Sequence, residues 1–438
     1  MTQTMMTRPE AAARSLRRTG AAIHLPGGAG YDQHRSALAP TLDPRPAVVV
    51  EAASTADVHA AVVAAREHDL PFAVQATGHG THVPCDDGLL LKTTAMAAVQ
   101  VDPYRQVARV GPGARWGEVL AAAAPYGLAP LSGSSATVGV TGYTLGGGVG
   151  WLGRKFGFAA DSVLSAEIVT ADGRLVHADT HEHPDLFWAI RGGGGGFGVV
   201  TSLEFRLYPV ARVYGGVSYF AVDRAGEVLA RYRDWACDAP DELSTAVVLT
   251  RAPERADIPA ELHGRRVLGI KAMYTGDADD AERLLRPLRD VAGPAVVDGY
   301  RTMRFADAAM GGTPARYLDF FDRLPDAVTE CLVDVAARPG GNGPTVEIRH
   351  WGGAMGRPGP DAGPVGNRTS PFSVIVDAPD PALVGTLRPH GTGSTFLNFL
   401  ADTSRTAQAY TRADYARLRD IKLAHDPGNV FGIGHVVR

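Results

Sequence analysis

Long apolar runs are missing from the 438 residues: no stretch of about 18 apolar residues occurs, so no membrane-spanning helix is expected. Cysteine is scarce. Cys85, Cys237 and Cys331 are odd in number, widely spaced and without a CxxC pair, which suits a reducing compartment and excludes the common zinc modules. Lysine is nearly absent, with only Lys92, Lys155, Lys271 and Lys422; we read this as the codon bias of a GC-rich genome. Neither sign of charge dominates. Lys and Arg (43) against Asp and Glu (47) leave a net charge of −4, so there is no basic field to draw nucleic acid or an anionic membrane. Residues 1–20 are arginine-rich without an apolar segment; no secretory signal is expected, and the expected location is cytoplasmic.

What is present is length and glycine. At about 150 residues per domain the chain is long enough for two or three folding units. Its 52 glycines are roughly 12% of the residues, against an average near 7%. Many of them cluster at residues 139–157 and 192–198.

The amino terminus is polar and expected to fray. The first firm element is a strand over Pro46–Glu51, followed by a capping box, Ser54-Thr55-Ala56-Asp57, that opens a helix with Val58, Ala61, Val62 and Ala65 on one face. A second strand, Phe72–Ala76, runs directly into Thr77-Gly78-His79-Gly80-Thr81. Strands are expected over residues 88–92, 106–110 and 199–207, the last from its period-two alternation, and a helix over 115–124 closing at Gly127. Beyond residue 210 helices are expected over 278–291 and 315–324, and strands over 245–250, 266–273 and 345–350. An amphipathic helix over 411–424 turns Tyr415, Leu418 and Ile421 inward and stops at Asp426-Pro427.

Both glycine clusters contain a GxGxxG: Gly148/Gly150/Gly153 and Gly193/Gly195/Gly198. A Rossmann fingerprint must follow a strand and open a helix. The first cluster meets Gly157 before a helix establishes itself, and the second feeds a strand. P-loop, HExxH and GxSxG motifs are absent, and no metal-ligand set is expected. Glycine-rich main chain at residues 78–80, 139–150 and 192–198 is able to lie against a diphosphate or a planar ring, with tight turns as the plain alternative.

Several segments taken in order resemble the flavin-binding domain of the vanillyl-alcohol-oxidase superfamily, in its berberine-bridge-enzyme-like branch. They are Thr77–Gly80, Ala136-Thr-Val-Gly-Val-Thr-Gly142, Leu145-Gly-Gly-Gly-Val-Gly150, Asp161–Gly173, Asp185–Gly192, Tyr415–Lys422 and Asp426–Phe431. The similarity covers residues 43–210 and 394–438, and is weak between them. It implies an α+β fold with a two-subdomain PCMH-type FAD-binding domain and an inserted substrate domain, an antiparallel sheet backed by helices. The implied divisions are an extension at 1–42, the FAD domain at 43–211, the substrate domain at 212–393 and a completing segment at 394–438.

The resemblance implies FAD joined covalently through His79, with His82 as the alternative. It places the cofactor against Val74, Gln75, Ala76, Thr77, Gly78, Gly80 and Thr81; Ser135, Val138, Gly139, Gly142 and Tyr143; Gly146, Gly147, Gly148 and Gly150; Gly198 and Val200; and Asn398, Asn429 and Phe431. Where many relatives carry a second linking cysteine this chain has Ser135, so a single covalent bond is expected. Gln75 replaces a frequent arginine, and Val149 and Phe396 replace two frequent tyrosines. Val138 occupies the position associated with oxygen access. The implied activity is oxidation of a small molecule by FAD and O2, with no nucleic-acid or membrane partner. Loss of both phenols favours an amine or an activated C–H over a plain sugar hydroxyl. A flavin-bearing cyclase, a carbohydrate oxidase and a binding protein without chemistry are the alternatives. Tyr143, Glu347, His350 and His435 are the candidate catalytic or orienting groups, with Arg349 on the Glu347 face of its strand.

Overall fold

The computed structural model describes residues 6–256, 258–337 and 343–437. Among them, sixteen strands form three sheets. The first holds β1 (Ala22–His24), β2 (Val48–Glu51), β3 (Phe72–Gln75) and β4 (Leu89–Lys92) in the order β1-β2-β4-β3, with β2, β4 and β3 parallel and β1 antiparallel at the edge. The helix Thr55–Glu67 makes the crossover between β2 and β3. Its Ser54/Asp57 box satisfies the first-turn amides, and Val58, Ala61, Val62 and Ala65 bury against the sheet.

Within the described part of the amino-terminal segment, residues 8–17 are ordered, not frayed. Arg8–Arg17 is a helix closed by a Thr7/Glu10 capping box, and it buries Ala12, Ala13 and Leu16 in the core of this first sheet. Polar composition hid a three-residue apolar stripe that the cap holds in register.

The second sheet is antiparallel: β5 (Val99–Asp102), β6 (Val107–Val110), β7 (Val163–Val169), β8 (Leu175–Ala178) and β9 (Val199–Arg206), in the order β5-β6-β9-β7-β8. Leu203 and Phe205 on β9 point into a core with Trp116, Phe187 and Trp188. The carboxy-terminal segment packs into both subdomains. Leu397, Leu418, Ile421 and Val437 enter the second core, whereas Phe431 enters the first, its ring centroid 5.7 Å from that of Phe72.

The third sheet contains β10 (Arg212–Ala221), β11 (Leu243–Arg251), β12 (Arg266–Tyr274), β13 (Arg301–Arg304), β14 (Tyr317–Phe321), β15 (Val346–His350) and β16 (Phe372–Val376). Their order is β13-β10-β12-β11-β15-β16-β14 and every pairing is antiparallel. Side-chain alternation gives the sheet two lives. Val247, Leu249, Ile348 and Val374 face the helices Ala225–Ala236, Asp326–Ala337 and Pro381–Leu387. Val213, Ala246 and Met273 instead meet Leu131, Trp151 and Leu152 of the first lobe. The helix expected at 315–324 is strand β14: Leu318 and Phe320 share one apolar cluster while Phe321 belongs to the opposite one. A segment buried on both sides carries no periodicity by which helix and strand differ, and pairing with β16 decides it.

Candidate functional site

The parallel strand β3 ends at Gln75, and the chain then turns outward through Ala76–Thr81. Thr93 N donates to Gln75 O at 3.1 Å and Thr94 Oγ1 to Ala76 O at 3.0 Å, pinning the start of the turn. Gly78 has φ +83°, and a Cβ there would stand 2.6 Å from Gln75 Nε2, so only glycine passes this point without strain. The N–H groups of Thr77, Gly78, His79 and Gly80 have no protein acceptor among the described residues.

A second loop lies against the first. Trp116 N donates to Val138 O at 3.0 Å, Gly117 N to Ala136 O at 2.9 Å and Val140 N to Ala114 O at 2.9 Å, fixing residues 136–140 like a strand edge. The two loops meet at Gly139, where a Cβ would be 3.4 Å from Thr77 Oγ1. A continuous polar chain results. Ser135 Oγ is 3.0 Å from Thr137 Oγ1, which is 3.2 Å from His79 Nε2, while His79 Nδ1 is 2.9 Å from Thr77 Oγ1. Partial burial, reinforced by the Arg115 guanidinium, lowers the His79 pKa, so the ring is neutral and keeps a lone pair at neutral pH.

These residues fit a dinucleotide. The first loop offers unpartnered amides and a neutral imidazole. Among the described residues, a Cβ on Gly80 or Gly142 would meet nothing within 4 Å, and the buried Thr141 hydroxyl has no partner.

The other glycines have a different explanation. A Cβ on Gly148 would lie 2.4 Å from Tyr143 Cε1, and one on Gly146 2.6 Å from Asn398 Nδ2. In the 192–198 cluster, a Cβ on Gly192 would lie 2.5 Å from Val365 Cγ2 and one on Gly198 2.4 Å from Ile168 Cγ2. Protein atoms fill these spaces, so tight packing accounts for Gly146–Gly150 and for most of the second cluster. The first GxGxxG does open a helix, Gly153–Phe156, but it is a single turn ending at Gly157.

Several side chains expected at the cofactor are occupied elsewhere. Asn398 accepts from Gly148 N and donates to Tyr143 O, each at 2.9 Å, bracing the glycine turn with both ends of its amide. Phe431 and Val200 are core residues, and Asn429 is an exposed turn residue with φ +51°. Gln75 donates to Ser36 O at 3.3 Å, Val74 is exposed on β3, and Val138 leans on the second core.

The four catalytic candidates do not converge. Tyr143 donates to Leu131 O at 3.3 Å and sits edge-on to Trp116, and burial raises its pKa. Glu347 and Arg349 do face the first lobe, the Arg349 guanidinium lying 5.1 Å over the Trp151 ring. Glu347 is fully buried. It receives Lys271 Nζ at 3.0 Å and Thr313 Oγ1 at 2.9 Å on Oε2, and Arg349 Nη2 at 2.7 Å on Oε1. Burial alone would raise its pKa; the Arg349 and Lys271 charges outweigh this and hold it at about 2. Both oxygens of this ionised, structural carboxylate are therefore engaged by donors.

His350 points the other way, its Nε2 2.9 Å from Arg154 Nη1, and burial with the Arg154 charge holds its pKa at about 3. His435 spends Nε2 on Leu400 O at 2.8 Å and Nδ1 on Thr406 Oγ1 at 2.9 Å, with the His82 ring 6.0 Å away. Sequence reasoning missed Thr137, Arg115, Lys271 and Arg154. Lys271, a rare lysine inside the apolar run Val267–Met273, carried a legible signal: a buried cation requires a partner.

Residues 46–179 match the family described as FAD binding domain. The chain is 28% identical over 434 residues to (R)-6-hydroxynicotine oxidase of Paenarthrobacter nicotinovorans, covering 88% of this chain and 90% of that one. In fold it is similar to a BBE-like protein of Physcomitrella patens, with a TM-score of 0.82 at 22% identity over 96% and 97% of the chains. It is equally similar to the glucooligosaccharide oxidase of Acremonium strictum, described with a 6-S-cysteinyl, 8α-N1-histidyl FAD, with a TM-score of 0.82 at 23% identity over 98% and 99%. The chain therefore carries an FAD binding domain over residues 46–179, is similar along most of its length to FAD-linked oxidoreductases, and has the fold of the berberine-bridge-enzyme-like proteins.

Proposed function

We propose that the chain is an oxidase whose FAD is joined through His79 alone and whose substrate is a small amine or a molecule with an activated C–H bond. The observation that carries the attachment is the hydrogen-bonded chain Ser135–Thr137–His79–Thr77, which orients a neutral imidazole at a glycine turn with free amides. Thr77 and Thr137 hold one ring nitrogen each, so the ring is aimed before any bond forms. Ser135 presents a hydroxyl at the position from which a thiol makes a second link.

FAD, when bound, would supply a two-electron acceptor for oxidation of the substrate, with O2 as the final oxidant and H2O2 as its product. The protein's part is to exclude water and to position the donor carbon. The third sheet presents Arg349 on Trp151 beside the locked Glu347–Lys271 pair, which leaves neither oxygen of Glu347 free to deprotonate a hydroxyl. Val149 and Phe396 are buried apolar residues in place of phenols. A substrate that loses its proton readily to water suits this surface, and the relative that oxidises 6-hydroxynicotine supports the reading.

The test is intact mass after acid denaturation. The expected result is one FAD retained by the wild type and none by His79→Ala, with one H2O2 per amine oxidised. Retention of the flavin by His79→Ala would overturn the assignment of the bond, and turnover of simple sugars as fast as amines would overturn the substrate class.

A further inference from the structure

The first sheet gathers two histidines and a carboxylate for which the oxidation chemistry has no use. His24 on β1, Glu51 at the end of β2 and His34 in the helix Tyr31–Arg35 bring one ligand atom each within 4.8 Å of one another. His24 Nε2 is 2.7 Å from Glu51 Oε1, and His34 Nδ1 is 3.3 Å from Glu51 Oε2. The two imidazoles are stacked, centroids 4.2 Å apart and planes inclined by 10°. The remaining nitrogen of His24, Nδ1, faces Ala29 O at 3.2 Å. A ring that directs its hydrogen at that carbonyl leaves Nε2 as the ligand atom on the side of the carboxylate.

We propose that His24, His34 and Glu51 form a binding site for a divalent transition cation of the zinc class. Two imidazoles and a carboxylate, with a fourth position open to water, are the donor set that Zn2+ accepts, and a backbone carbonyl that fixes the tautomer of one ligand is its usual support. An ion drawing the three atoms to about 2.0–2.2 Å requires the stacked rings to tilt towards it. The ring side chains are 17% and 22% exposed, so the rings have room to do so. The cations nearby do not fill the position. Arg35 is engaged by Asp32 and Asp43, and Lys92, the register neighbour of Glu51 on β4, makes no ion pair with it among the described residues. The ion would tie β1, β2 and the helix together. Ser36, one residue past that helix, accepts the Gln75 bond at the root of the His79 loop, so the clamp lies behind the flavin attachment.

The experiment is calorimetric titration of chelator-stripped, flavin-loaded protein with Zn2+, with the thermal midpoint recorded in parallel. One saturable equivalent and a raised midpoint are expected. Affinity should fall at least tenfold in His34→Gln, on an exposed helix, and in the isosteric Glu51→Gln, while His59→Ala, an exposed histidine elsewhere, behaves as wild type. Unchanged flavin content and circular dichroism establish that the variants are folded. Absence of a saturable equivalent, or equal affinity in wild type and both site variants, would refute the site.

Discussion

Replacing Glu347 by glutamine separates a structural carboxylate from a catalytic one. The side chain is fully buried between Lys271 and Arg349, and the substitution leaves two buried cations without a counter-charge. Displacement of its pKa from 4.5 to about 2, at about 1.4 kcal/mol per pH unit, corresponds to about 3 kcal/mol of native-state stabilisation. That agrees with the roughly 3–5 kcal/mol lost when one partner of a buried ion pair is removed. The sign of the pH dependence follows. The folded-state carboxyl titrates below its unfolded value, so its contribution is complete above pH 4.5 and disappears as pH falls through about 2. Urea unfolding of the second lobe, followed by the fluorescence of Trp351 and Trp235, should show Glu347→Gln destabilised by about 3 kcal/mol at pH 7, with the gap narrowing as the solution is acidified below pH 4.5. The pH profile of kcat should show no group titrating between neutrality and pH 5 that the substitution removes. A variant as stable as wild type at pH 7, or one that keeps its stability and loses such a limb from the kcat profile, would refute the reasoning.

Thr137→Val removes the hydroxyl 3.2 Å from His79 Nε2; the expected outcome, read by denaturing mass spectrometry over time, is flavin attachment slowed by about tenfold, equivalent to about 1.4 kcal/mol of lost orientation. Tyr143→Phe forfeits only a bond to Leu131 O, so thermal unfolding should register about 1 kcal/mol while kcat stays within threefold of wild type; a collapse of kcat would return the phenol to the mechanism. Gly148→Ala places a methyl 2.4 Å from the Tyr143 ring at φ +70° and should cost more than about 2 kcal/mol in denaturant, whereas Gly80→Ala, which meets nothing within 4 Å, should be close to neutral in stability and show its effect on FAD affinity.

Much of the local structure is legible in the sequence because its causes are local. The Ser54/Asp57 box, the Thr411/Asp414 cap and the stop at Asp426-Pro427 bound their helices as expected, and period-two alternation marks β9. Failures have equally physical roots. Tyr317–Phe321 is apolar on both sides, and Arg8–Arg17 buries a stripe too short to stand out among arginines. On a single strand, Glu347 and Arg349 show only that they share a face; pairing β15 between β11 and β16 is what removes them from water. Three glycine-rich places look equivalent as text, yet protein atoms crowd Gly146–Gly148, Gly150, Gly192, Gly193 and Gly198, whereas Gly80, Gly142 and Gly195 stand open.

The order of the segments around Thr77–Gly80, Ala136–Gly142 and Asp426–Phe431 carried a resemblance that implied an FAD-linked oxidoreductase, and the matched FAD binding domain and the FAD-linked relatives agree with it. Which histidine is available, which carboxylate is spent and which glycines serve packing were decided only when Thr137 met His79, Lys271 met Glu347 and Asn398 met Gly148. Those partners are separated by 58, 76 and 250 positions. Protonation and steric fit depend on what lies a few ångströms away in space, which a linear spacing does not record.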